Sequence, residues 1–254
     1  MSHLTEEPVI ARISVGLFPR IIRCGWDMFV HTRPLSVSFS MIFALIGVAI
    51  LASITRASHS PLIFPISGGF MLIGPFLLGG FFALADRLSR GEPCSAADIR
   101  FGFSRMNGGI LSIAFVCAIL FAIWVINAAY LYASLIGRTP EPLFNLLAPS
   151  GPVIAFLLRS VVLGGLLAFF VFAISAFSVP LLYYRRAKLL QTVQLSVMAV
   201  FRNMIPCLLW SLLLMVTITV SILIFPLFLV TFPVLAYASH ALYREIFPDR
   251  LDVS

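Results

Sequence analysis

The chain has 254 residues, of which 61% are hydrophobic and only 11% charged, whereas soluble globular domains carry about 25% charged residues. Its mean hydropathy of +1.07 means more apolar side chain than one water-shielded core can absorb, which excludes an ordinary soluble fold. The formal charge of +7 would suit a nucleic-acid partner, but the basic residues cluster at the ends of apolar stretches and no basic tail stands apart, which excludes that class too.

Hydrocarbon admits only α-helices and closed barrels, because each unpaired backbone N–H or C=O costs several kcal/mol there. The runs Ser36 to Ile54 and Leu208 to Phe225 stay apolar for about 18 residues or more, which fits helices; barrel strands would alternate over roughly ten. The expected fold is therefore an all-α membrane protein, a six-transmembrane-helix bundle with short interfacial helices. A cytoplasmic N-terminal and interfacial segment is expected at 1–34, the membrane domain at 35–245 and a cytoplasmic tail at 246–254.

In chain order, Glu6, Glu7, Asp27 and four arginines precede the first long apolar run, so no cleavable signal peptide is expected and the first span carries the insertion signal. Residues 8–31 and 187–203 mix Arg with Ile, Leu, Phe and Met at near-helical spacing. They suit short helices lying in the inner interface, their arginines reaching lipid phosphates; a docking surface for a partner is the rival reading. Spans of about 20 residues, enough for a ~30 Å hydrocarbon layer, are predicted near 35–54, 64–85, 109–136, 160–183, 206–225 and 226–243. The last two are separated at Phe225-Pro226, since Pro lacks the N–H a continuing helix would use. A re-entrant segment followed by one span is the alternative there.

With the N-terminus inside, fourteen basic residues fall on the cytoplasmic side, Arg56 and Arg138 fall outside, and Arg159 lies at or just within a span. That split predicts a multi-pass protein of the bacterial cytoplasmic membrane with both termini in the cytoplasm. A threefold repeat is also suggested, with lead-ins at Cys24–Phe29, Ile99–Asn107 and Met198–Pro206 and proline-bearing returns at Gly74-Pro75-Phe76, Val179-Pro180-Leu181 and Phe232-Pro233-Val234. Such copies would share one orientation. Chance likeness between spans with similar flanks explains the pattern equally well.

Reactive chemistry is sparsely provided. Cys24, Cys94, Cys117 and Cys207 form no CxxC pair, and no disulfide framework, metal site or cofactor is expected. His3, His31, His59 and His240 all fall outside the span centres. Only His31 and His240 share a depth, so they are either ordinary interfacial histidines or a facing pair of axial ligands. No Asp or Glu is expected mid-span, and the acids usually adjoin an arginine, as in Asp86-Arg87. Arg159 either reaches the outer headgroups or lies deeper as a ligand or counter-ion site. Gly74 and Pro75 either allow close helix packing, like Gly68-Gly69, Gly79-Gly80 and Gly164-Gly165, or break a helix to line a cavity. Asn127, Ser175, Ser178, Thr217 and Thr219 are expected to bond across helices. Arg159, Gly74, Pro75, His31 and His240 are thus the candidate contacts for ligand or lipid, and no residue is assigned to catalysis.

The strings Ala173-Ile-Ser-Ala-Phe-Ser-Val-Pro-Leu-Leu, Ser196-Val-Met-Ala-Val-Phe-Arg-Asn and Phe232-Pro-Val-Leu-Ala-Tyr-Ala-Ser-His-Ala-Leu-Tyr-Arg-Glu carry a resemblance. With Gly25-Trp26-Asp27 and the Gly74-Pro75-Phe76 span bearing Arg87 and Arg90, the chain resembles domain-of-unknown-function family twenty-one eighty-nine over about residues 20 to 247. The resemblance implies six helices in a bacterial inner membrane, no established activity and no functional residue to carry over. Some members bear a label relating them to cytochrome c oxidase subunit I; the histidine count argues against a literal reading of it here. The expected function is a non-enzymatic structural or accessory subunit of a larger membrane complex, with lipids and other membrane subunits as partners. A transporter or channel, and a haem- or quinone-linked redox subunit, are the rivals.

Overall fold

The computed structural model describes residues 8–55, 77–135 and 151–248, and among them it is helical with no strand. Helix α1 (Phe18–His31) meets α2 (Arg33–Thr55) at Thr32, where the axis turns by 98°. Pro34 has no N–H for the Val30 carbonyl, so one helix cannot run straight through. Helix α3 is described over 77–89. It closes at Gly91, whose φ of 69° lets Gly91 N–H reach Leu88 O and Glu92 N–H reach Arg87 O. Helix α4 (Ala96–Ser104) begins at Ser95, whose N–H and hydroxyl both donate to the Asp98 carboxylate at 2.7 Å. Asn107 then caps α5 (Gly108–Leu135) by accepting Ile110 N–H.

Helix α6 (Gly151–Ser175) breaks before α7 (Ser178–Tyr183). The freed Phe177 N–H donates to Ser196 Oγ, and Ser178 Oγ donates to Ile174 O and Thr192 O. The remaining helices are α8 (Leu189–Arg202), α9 (Met204–Leu223) and α10 (Phe225–Ile246). Ile224 separates the last two, as the Phe225-Pro226 turn predicts, and each is long and apolar enough to cross a membrane.

Four helices meet that test among the described residues, five if the bent α1–α2 pair is one span. The expected count of six is therefore not reached: most of the 64–85 span lies outside the described residues. The span expected at 160–183 starts earlier, at Gly151.

Packing follows one rule in three places. Each lead-in helix runs antiparallel beside a return helix, at small residues that let the backbones approach. Gly102 of α4 lies against the Gly79 backbone of α3. On α8, Ser196 Oγ donates to Ala173 O of α6 at 2.7 Å and Phe201 packs on Phe169. A Cβ on Gly25 of α1 would lie 2.5 Å from Val234 O of α10, while Ala11 N–H donates to Ile246 O and Arg20 pairs with Glu245. The first lead-in thus packs on the last return, and the units α1–α3, α4–α7 and α8–α10 close into a ring.

The core sits at the end of the ring where the arginines gather. Trp210, Tyr183, Tyr237, Tyr243, Phe81, Phe82 and Phe247 are its largest fully buried side chains. Half of the α10 span is buried, against 22%, 11% and 17% for α5, α6 and α9, so α10 is the hub and the others turn broad apolar sides outward.

Candidate functional site

Asp86 at the end of α3, Tyr184 just past α7 and His240 on α10 meet where the three units converge, one residue from each. The Tyr184 hydroxyl donates to Asp86 Oδ1 at 2.8 Å and lies 2.9 Å from His240 Nε2. A phenol has one proton, so with it given to the carboxylate the Tyr184 oxygen accepts from His240 Nε2–H. That assignment leaves Nδ1 as the bare ring nitrogen, and it finds no hydrogen-bond partner among the described residues. His240 Nε2 also lies 3.9 Å from Asp86 Oδ1, and the two side chains are 6% and 18% exposed.

The surroundings are aromatic and cationic. Phe82 packs against His240, Tyr183 and Tyr184, and Tyr184 stacks on Tyr243 with ring planes 7° apart. Arg105 lies 3.9 Å from Asp86 Oδ2 and covers the Phe101 and Tyr183 rings. Burial pushes the Asp86 carboxyl above the ordinary carboxylate range, opposed by the Tyr184 hydrogen bond and by Arg105, Arg90 and Arg244. Arg186 donates to Tyr243 Oη and to the Phe247 and Pro248 carbonyls, capping α10. The arrangement ties three elements together, and its hydrogen-bonded chain can pass a proton between a carboxyl touching solvent and an enclosed imidazole.

A second buried cluster sits at the α1–α2 bend. Thr32 Oγ1, Ser36 Oγ and Tyr237 Oη form a triangle with sides of 2.8–2.9 Å, and Thr32 Oγ1 also donates to Met28 O. One turn further, Ser40 Oγ is buried with no partner among the described residues. At the α8–α9 junction, Asn203 accepts from Ile13 N–H and donates to Ala11 O, pinning the segment before α1.

Of the residues singled out by sequence, His240 is enclosed in the convergence cluster. His31 is not brought to it: it is exposed on α1, its Nδ1–H donating to Asp27 O at 2.7 Å, so the two imidazoles do not form the facing pair considered above. Gly74 and Pro75 lie outside the described residues. Arg159 is exposed on α6. Trp124 covers Gly164 and Tyr132 packs on Phe156, a register that sets Arg159 level with Ala129, next to the exposed Tyr130. The 25 uncharged residues 160–184 span about 37 Å as a helix, more than a hydrocarbon layer of ~30 Å.

Two expectations need correction. Asn127 bonds to no other helix among the described residues and donates to Ile123 O four residues back, whereas Ser175 donates to Val171 O and also meets the Cys117 thiol of α5. Ser178 does bond across, to Thr192 O. Asp86 is not simply the neighbour of Arg87 either, because Arg87 pairs with Glu92 and Asp98 while Asp86 turns inward. Nothing in the sequence signals Asp86 or Tyr184, since their meeting depends on the ring closure.

No curated protein and no solved structure matches the chain. Residues 63–184, which carry Asp86, Tyr184 and the α5–α6 hairpin, match the model of the family described as predicted integral membrane protein (DUF2189), a narrower stretch than the 20 to 247 expected. The chain is an integral membrane protein, and just under half of it is similar to that family.

Proposed function

We propose that the chain is a non-enzymatic structural or accessory subunit of a larger assembly in the bacterial cytoplasmic membrane. The supporting observation is the α5–α6 hairpin. Among the described residues its helices pack chiefly on each other and, at their lower ends, on α7 and α8. Both outer sides stay apolar, with Val161 at 71%, Val162 at 70% and Ile126 at 68% exposure. A hairpin standing clear of the hub α10 offers two faces to a neighbouring span, where van der Waals packing drives association. A photo-crosslinker at Val161 is expected to capture one discrete membrane protein, which also co-purifies in mild detergent. Lipid adducts alone from a lone monomer would refute this reading. The fourteen-to-two distribution of basic residues supports cytoplasmic termini, and compartment reporters at the two ends should agree.

The Asp86–Tyr184–His240 cluster favours one rival, a proton-linked transporter. Its test is proton flux into vesicles holding the purified protein. A flux lost in Tyr184→Phe would replace the accessory reading.

A further inference from the structure

The lead-in helices share a surface feature that the convergence cluster does not use. Helix α8 carries large apolar residues on both sides: Leu195 and Val200 face the protein with Thr192, Ser196 and Ala199, while Leu190 is 79%, Met198 59% and Phe201 53% exposed, beside Gln194 and Arg202. A helix resting on a water-washed surface keeps that outer side polar. On α1, at 100° per residue, Phe18, Ile21, Gly25 and Phe29 form the protein side. Exposed Trp26 and Val30 occupy one flank and exposed Arg20, Asp27 and His31 the other, with Arg23 on the border. On α4, exposed Phe101 and Phe103 flank the exposed Arg100.

The three helices repeat one pair. An exposed arginine stands three or four positions from an exposed large apolar side chain, at Arg23 and Trp26, Arg100 and Phe103, and Arg202 and Met198, a spacing that makes them neighbours on the helix surface. Each helix passes into a long apolar helix across one to three residues, at Thr32, 105–107 and Asn203. That connection fixes it at the level where hydrocarbon begins. A long cation beside an apolar wedge at that depth fits the boundary between lipid phosphate and acyl chain.

We propose that α1, α4 and α8 form a collar that holds anionic glycerophospholipids. Arg23, Arg100 and Arg202 take the headgroup phosphates, and Trp26, Phe103 and Met198 lie among the first acyl carbons. The positive charge gathered at this end selects anionic over zwitterionic headgroups.

Two measurements on the full chain test this. In nanodiscs, lipids brominated near the headgroup are expected to quench a fluorescence component that Trp26→Phe removes. If iodide in the buffer quenches that component and brominated lipid does not, the collar faces water or protein and the proposal falls. In the second, native mass spectrometry compares retention of phosphatidylglycerol with phosphatidylcholine for the wild type and the combined Arg23→Gln, Arg100→Gln, Arg202→Gln variant. The preference for phosphatidylglycerol is expected to fall by roughly fivefold for each arginine removed. An unchanged preference in the variant overturns the headgroup assignment. The quenching result needs no change to the arginines and stands even if that variant does not fold.

Discussion

Substituting Gly25 by Ala tests whether the contact between the first and last helices holds the ring closed. The added Cβ would lie 2.5 Å from Val234 O and 2.9 Å from Ala238 N, against ordinary contacts of 3.4–4 Å. Both are backbone atoms of α10, so no side chain can swing aside. Helix α1 must withdraw by about 0.9 Å, the difference between 3.4 and 2.5 Å. A gap of that size forfeits roughly a quarter to a half of each dispersion contact, and overpacking of this kind costs about 1–3 kcal/mol. Against it stands up to ~1 kcal/mol of helix propensity gained by replacing glycine. The net expectation is a loss of about 1–2 kcal/mol. Reversible unfolding in mixed micelles with increasing dodecyl sulfate reads it, followed by Trp210 emission, since that indole packs edge-on against Phe18 of α1 at 5.3 Å. Gly47→Ala is the control, because its Cβ meets nothing within 4 Å; it should be neutral or stabilising by up to ~1 kcal/mol. Equal tolerance of the two substitutions would refute the close-approach argument.

Removing the Tyr184 hydroxyl with Tyr184→Phe leaves Asp86 and His240 without their bridge and should cost about 1–3 kcal/mol in the same unfolding assay. Tyr237→Phe should cost less, about 0.5–1.5 kcal/mol, because Thr32 and Ser36 still bond each other. Asp98 sits below the ordinary carboxylate range: burial pushes it up, but the Ser95 hydroxyl and N–H and the charges of Arg87 and Arg90 outweigh that. A depressed acid stabilises the fold above its unfolded pKa, ~3.9, and loses that contribution as pH falls through its folded value. Asp98→Asn should therefore cost about 1 kcal/mol at neutral pH and flatten the acid limb of the stability curve, measured by unfolding from pH 7 downward. Arg185 holds φ at 51° beyond α7, so Arg185→Gly should stabilise by about 1 kcal/mol, whereas Gly91→Ala at φ 69° should destabilise by a similar amount; paired melts decide.

The helical fold was readable because hydrocarbon turns a local property, unbroken apolar length, into a structural requirement. The α9–α10 turn was readable for the same local reason, a proline with no N–H to give. The convergence cluster was not. Asp86, Tyr184 and His240 come from three separate units, and each one alone looks like an ordinary polar residue at a membrane boundary. Their meeting follows from small-residue contacts such as Gly25 on Val234 and Gly102 on Gly79, which a sequence records only as glycines. Asn127 misled for the opposite reason: a carbonyl one turn back is always within reach, so a polar side chain in a span needs no distant partner.

Ring closure through α1 and α10 has a consequence for biosynthesis. The surface that receives Gly25, Arg20 and the segment at Ala11 belongs to residues 234–246, so α1 leaves the ribosome about two hundred residues before the helix it packs on. Until then α1 keeps an apolar flank unsheltered. A product that stalls short of α10 therefore displays that flank as a marker of incompleteness, legible to the proteases that clear unfinished membrane proteins.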